Sequence, residues 1–170
     1  YRLIEELEAE LEVERKKSER KIQTRSATLE KQLEQMAIEL QTKAGVFEQQ
    51  AQGMNETLRN MKMQELQSLQ ENAQGFQMQA EQDVRQLQEA EQMKLMRKEA
   101  AGSKLVNDNM KAFIADYNTE YGFSYVLAFS DQAGGILYGN PALDITKDLV
   151  AGLNDIYDAE KAAEEAAKEK

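Results

Sequence analysis

The chain has 170 residues, 31% of them charged and only 6% aromatic, with one Pro and a formal charge of −10. That mixture belongs to long helices and coiled coils, and it excludes a thick globular core. The anionic balance argues against nucleic acid as a partner, and the absence of His and Cys removes the usual nucleophile–base pairs, thiolate chemistry and disulfides.

No apolar run approaches the roughly 18–20 residues that a membrane span requires, so no integral membrane segment is expected. The chain opens at Tyr1 already in helical pattern and without an initiator Met, so an N-terminal segment is expected to precede it.

Residues 1–58 carry an interrupted apolar stripe, Ile4, Leu7, Leu11, then Ile22, Leu29, Leu33, Met36, Leu40, Phe47, Ala51, Met54 and Leu58. Steps of three, four and seven are those of a helix with one narrow buried seam. Between Val13 and Ile22 the run "ERKKSERK" offers no apolar residue; it is either solvated all round or rests on a neighbour through its aliphatic stems. A second stripe runs through Leu66, Leu69, Ala73, Phe76, Ala80, Val84 and Leu87. The predicted reversal between the two lies in "QGMNETLRNMKM", residues 52–63, where Gly53, Asn55 and Asn60 weaken helix. The alternative is a single unbroken helix.

Met110, Phe113, Ile114 and Tyr117 form a denser apolar face, and Gly122 is placed just past the helix end. In "GFSYVLAFS" Phe123, Tyr125, Leu127 and Phe129 alternate with Ser124, Val126, Ala128 and Ser130, a period of two that predicts a strand. "DQAGG" is a turn, and Ile136, Leu137 and Tyr138 restart a strand. "DITKDLVAGLNDIYD" predicts a short helix with Asp144 or Thr146 as N-cap, Asp148 in the first turn and Leu149, Val150, Leu153 and Ile156 buried. The tail, residues 159–170, is expected to be frayed helix or disordered.

A lone two-stranded hairpin is not independently stable, and its open edges invite pairing. Strands from identical subunits remove both edges, and a small closed barrel from three chains is a natural solution. The expected fold class is mainly α with a small β element: a long α-helical hairpin attached to a small β-barrel head formed by oligomerisation.

The stretches "YGFSYVLAFS", "GGILYGNPALDIT" and "DITKDLVAGLN" resemble the C-terminal part of the Skp/OmpH family of periplasmic chaperones. The resemblance is strong over residues 105–157; over residues 1–104 helical-hairpin character and length agree. It implies a homotrimeric β-barrel head, from which α-helical tentacles enclose unfolded outer-membrane β-barrel proteins in the periplasm. The domains expected on this basis are a tentacle over 1–121, a head element over 122–158 and a charged, Ala-rich tail over 159–170. The best-known relatives are basic and this chain is acidic, so lipid binding is not carried over.

Candidate head residues are Phe123, Tyr125, Leu127, Phe129, Ile136, Leu137 and Tyr138; candidate client contacts are Phe47, Met54, Met61, Met63, Phe76 and Met78. Met is flexible and polarizable and suits a surface that accepts many sequences, although its commoner use is to fill a seam. The charge run "EVERKKSER" reads better as a solvated face than as a contact. Gly134 and Gly135 lack the Lys-Ser or Lys-Thr of a phosphate loop, and Asp144, Asp148, Asp155 and Asp158 have no metal-loop spacing, so neither cofactor nor metal is expected. The chain reads as no enzyme but as an ATP-independent holdase. Two alternatives remain, an adaptor coiled coil with one helical partner and a prefoldin-like chaperone.

Overall fold

The computed structural model describes residues 1–128 and 138–168. Three helices make up most of them, α1 (Arg2–Gln50), α2 (Glu56–Tyr121) and α3 (Thr146–Lys168), with 3-10 turns at Ala51–Gly53 and Pro141–Leu143. They are organised as two compact units, Glu14–Leu95 and Tyr1–Val13 with Met96–Lys170.

In the unit of residues 14–95, α1 and α2 run antiparallel. Ser18 and Lys21 reach Glu91, Arg25 reaches Asp83, and Lys43 reaches Glu65. Between these pairs lies the seam read from the apolar stripes. Leu29 and Ala80 are buried, while Ile22, Leu33, Leu40, Leu69, Phe76 and Leu87 are half-buried beside them. The charge run is not solvated all round. Ser18 is buried within it, and Glu14 pairs across the helices with Lys94. Heptad spacing from Ile22 back to Ser18 continues the stripe in polar form, which a search for apolar residues passes over.

The reversal occupies Ala51–Asn55. Met54 is extended, with ψ 143. The Asn55 carboxamide oxygen accepts the Leu58 amide at 2.8 Å and caps α2, and the Arg59 guanidinium donates to the Ala51 carbonyl at 2.8 Å. Asn60 is accommodated inside α2.

The second unit joins the first turns of α1, the C-terminal part of α2, and α3. Leu3 and Leu153 are buried there. The Arg2 amide donates to Asn154 Oδ1 at 2.9 Å, the Tyr157 hydroxyl to Glu6 Oε2 at 2.9 Å, and Lys161 to Glu6 Oε1 at 2.7 Å. The inward stripe of α3 is Leu149, Leu153 and Tyr157, with half-buried Ile145 just before the helix, whereas Val150 and Ile156, expected inside, are exposed. The cause is local. Asp144 turns the chain by accepting the Thr146 amide at 2.9 Å, and Gly152 meets the Phe113 ring. The helix expected to be short continues through the Ala-rich stretch to Lys168, as the high helix propensity of Ala favours.

At its C-terminus α2 stops at Gly122, whose φ of +66 places it in the left-handed region and whose amide donates to the Asn118 carbonyl at 2.9 Å. The Asn118 carboxamide then holds Phe123 from both sides, accepting its amide at 2.6 Å and donating to its carbonyl at 2.9 Å. Phe113, Tyr117, Tyr121 and Phe123 stack in sequence, with centroids 6.0, 4.4 and 5.8 Å apart.

No strand occurs among the described residues. The expectation of one over 123–128, resuming at Tyr138, is therefore not met in this chain. The physical reason is that a strand exists only as part of a ladder. The expectation had other copies of the chain as the edge partners. Phe129, Ile136 and Leu137, also assigned to the strands, lie outside the described residues.

The closest packing in the second unit yields a stability prediction. A Cβ on Gly152 would stand 2.2 Å from Cζ of Phe113, whose ring is held in the aromatic stack. Overpacking costs about 1–3 kcal/mol, against a helix-propensity gain from Gly to Ala of about 1 kcal/mol. Gly152→Ala should lower Tm in a thermal melt and speed tryptic cleavage at Lys161, and adding Phe113→Leu should restore both. A raised Tm in the single variant would mean that the ring yields freely.

Candidate interaction surface

A two-helix seam leaves most of each helix outside, so the chemical character of the outer faces decides what this protein can touch. On α2, Phe76, Ala80 and Leu87 face the seam. Met78 stands two residues from both Phe76 and Ala80, a rotation of about 200° on a helix, and so lies on the far side. It is 69% exposed. Met93 bears the same relation to Glu91 and is also exposed. Met61, Met63 and Met96 complete an exposed set, Ile38 and Val46 add branched aliphatic groups that sequence reading did not single out, and Leu58, expected in the seam stripe, is exposed as well. The signal of Ile38 and Val46 was present as apolar residues outside the seam register.

Of the proposed client contacts, Met61, Met63 and Met78 stand outside the seam. Phe47 and Met54 are half-buried, the first in the seam and the second in the turn. Phe76 is half-buried and forms, with Leu29 and Ala80, the apolar side of a groove of about 470 Å³ that Gln32, Gln79 and Gln86 rim with amides.

Of the proposed head residues, Phe123 is half-buried under the Asn118 clasp. Tyr125 and Leu127 are 84% and 66% exposed and Tyr138 is 78% exposed, with Val126 and Leu143 exposed near them in sequence. Full exposure of alternating large apolar side chains is the mark of a surface that meets something else.

Electrostatics in the unit of residues 14–95 are organised around two carboxylates that reading the sequence missed. Glu91, with a side chain only 7% exposed, accepts from Ser18 Oγ at 2.7 Å and from Lys21 Nζ at 2.5 Å. The Lys21 ammonium and then the Ser18 hydroxyl hold its carboxyl below the ordinary value of 4.5. Nearer the turn, Lys62 and Lys43 bring Glu65 down to about 2. Neither carboxylate belongs to a catalytic arrangement, since each is taken up by cross-helix or adjacent cations. In the second unit, burial first, then hydrogen bonds with Tyr121 and Asp148, push the Tyr117 phenol up to about 12, so it stays protonated as a donor to Asp148.

A family model described as outer membrane protein (OmpH-like) matches residues 9–153. The chain belongs to the OmpH-like family. No curated protein matches it. The matched span of this OmpH-like chain takes in nearly all of α1, the whole of α2 and the segment that carries Tyr125 and Leu127. Among the described residues no helix is long and apolar enough to cross a membrane.

The buried carboxylate gives this family member a testable acid response. A carboxyl whose folded pKa is lowered stabilises fully above its unfolded value and loses that contribution as pH falls through the folded value. For Glu91 the loss begins below about pH 4.5. Denaturant midpoints measured from pH 6 to pH 3 should fall more steeply for the wild type than for Glu91→Gln, which should start less stable at pH 6. Parallel acid limbs would remove Glu91 from the account.

Proposed function

We propose that the chain is an ATP-independent holdase of the bacterial periplasm that keeps unfolded outer-membrane β-barrel proteins soluble in transit. Three copies would join through residues 123–138 in a small β-barrel head. The hairpins of residues 1–121 would serve as arms around the client, and the Ala-rich residues 159–170 would stay outside the head.

The observation that carries the reading is the set of exposed Met and aliphatic side chains outside the seam, in a chain of the OmpH-like family. Each such contact is weak. Partly burying one Met against an apolar client segment contributes on the order of 1 kcal/mol. Several contacts acting in parallel hold a chain without imposing one conformation, and the unbranched thioether adapts to whatever sequence is present. Release then requires only a destination that buries the same client groups better, so no nucleotide enters. The exposed pair Tyr125 and Leu127 supports the head, because alternating large residues at this density are stabilised once other copies cover them.

The test is dilution of a urea-unfolded outer-membrane β-barrel protein into this protein, followed by light scattering on a sizing column. A soluble complex of three subunits and one client is expected. Aggregated client beside an intact oligomer would overturn the holdase and favour an adaptor coiled coil. Two variants separate head from arms. Leu127→Asp should yield monomers, and normal trimers from it would remove the barrel head. Met61→Ala with Met63→Ala and Met78→Ala should assemble normally and lose on the order of a hundredfold in client affinity, the size expected of three lost contacts of about 1 kcal/mol each.

A further inference from the structure

The outward methionines do not serve the fold, and this opens a chemistry that client binding alone does not require. Met61, Met63, Met78, Met93 and Met96 are between 51% and 69% exposed. The other three of the eight are half-buried, Met36 in the seam, Met54 in the turn and Met110 on the denser face of α2. The chain has no Cys and no Trp, so thioethers are its most readily oxidised side chains.

We propose that these five methionines form an oxidant-responsive surface, on which a two-electron oxidant such as hypochlorous acid makes methionine sulfoxide and loosens the grip on clients while the helices stay folded. In the reaction the thioether sulfur loses two electrons and an S–O bond forms. The chlorine of hypochlorous acid is reduced and leaves as chloride, and one proton is released. Reversal requires a thiol-dependent methionine sulfoxide reductase, which removes the oxygen as water.

The sulfoxide oxygen is a strong hydrogen-bond acceptor that water solvates well. An oxidised side chain must shed that water to touch an apolar client segment, so an adhesive group becomes an unfavourable one. The seam does not register the change, because Leu29, Phe76, Ala80 and Leu87 fill it and none of the five methionines does. Oxidation of Met36 is different in kind, since it introduces a polar group among Leu33 and Leu40. Two phases follow, in which holding is lost first and helicity only at higher oxidant.

The loss of holding rests on the holdase reading; the order of oxidation does not. The full chain is titrated with hypochlorous acid, with peptide mass mapping of each Met, circular dichroism, and retention of a urea-unfolded outer-membrane β-barrel protein. The five should oxidise before Met36, Met54 and Met110, retention should fall at least roughly threefold, as several lost apolar contacts imply, helicity should persist, and the reductase should restore holding. A variant with Leu at all five positions should hold clients before and after oxidant. Equal loss in that variant, unchanged retention with all five oxidised, or melting that accompanies their oxidation would overturn the proposal. If untreated protein holds no client, the holdase reading fails. The mapping then decides alone, and oxidation of Met36 alongside the five would overturn the surface.

Discussion

A pair of helices packed side by side buries one stripe of each and no more. Nearly everything about this chain follows from that limit. Among the described residues the buried apolar side chains are few, Leu29 and Ala80 in the unit of residues 14–95 and Leu3 and Leu153 in the other, narrow contacts and not a volume. Contacts so narrow cannot absorb many large side chains, so any further apolar residue the sequence carries must stand outside. Such a surface ordinarily invites aggregation. Here it is spread along helices rich in Glu, Gln and Lys, in a chain of net charge −10, which opposes nonspecific aggregation. Exposure that is a liability in a globular enzyme becomes working material under the proposed holdase function, in which the surface touches other chains.

A thin seam also has a weak sense of register, because sliding one helix by a heptad restores similar contacts. Polar groups in the seam resist this. Glu91 is satisfied only where Ser18 and Lys21 sit opposite it, and the Arg25–Asp83 and Lys43–Glu65 pairs repeat the condition further along. A heptad slip would leave the Glu91 carboxylate among partners that do not match it, and an unpaired buried carboxylate is costly. The apolar stripe supplies attraction, while the polar interruptions supply alignment.

What could be read in advance was whatever depends on near neighbours. Both stripes are present, the break falls around Gly53 and Asn55, and Gly122 ends α2 with the positive φ expected of a residue in that place. Ser18 was hidden because a serine within a charged run carries no apolar signal, although its heptad position was correct. Val150 and Ile156 misled because a helix with apolar residues on several sides does not announce which side faces inward. That choice depended on Gly152 admitting the Phe113 ring, a contact between residues far apart in the sequence. The strand pattern at 123–128 is the remaining mismatch. Alternation describes a preference for a ladder, and a ladder depends on what lies alongside. The outward methionines were legible as a set, but the side of α2 that Met78 takes became clear only against Phe76 and Ala80.

The carboxamide of Asn118 offers Phe123 one acceptor and one donor, the same pair that a neighbouring strand presents to a residue in a ladder. It acts as a template one residue long. Since side chains alternate along extended backbone, a strand formed from here in the proposed head would take its parity from its first residue, with Tyr125 and Leu127 on the side of Phe123 and Ser124 and Val126 on the other. Adding or removing one residue between Asn118 and Tyr125 would exchange the two sides while altering composition hardly at all. In the proposed head, the facing of the strand would thus be set by a single side chain still on the helix.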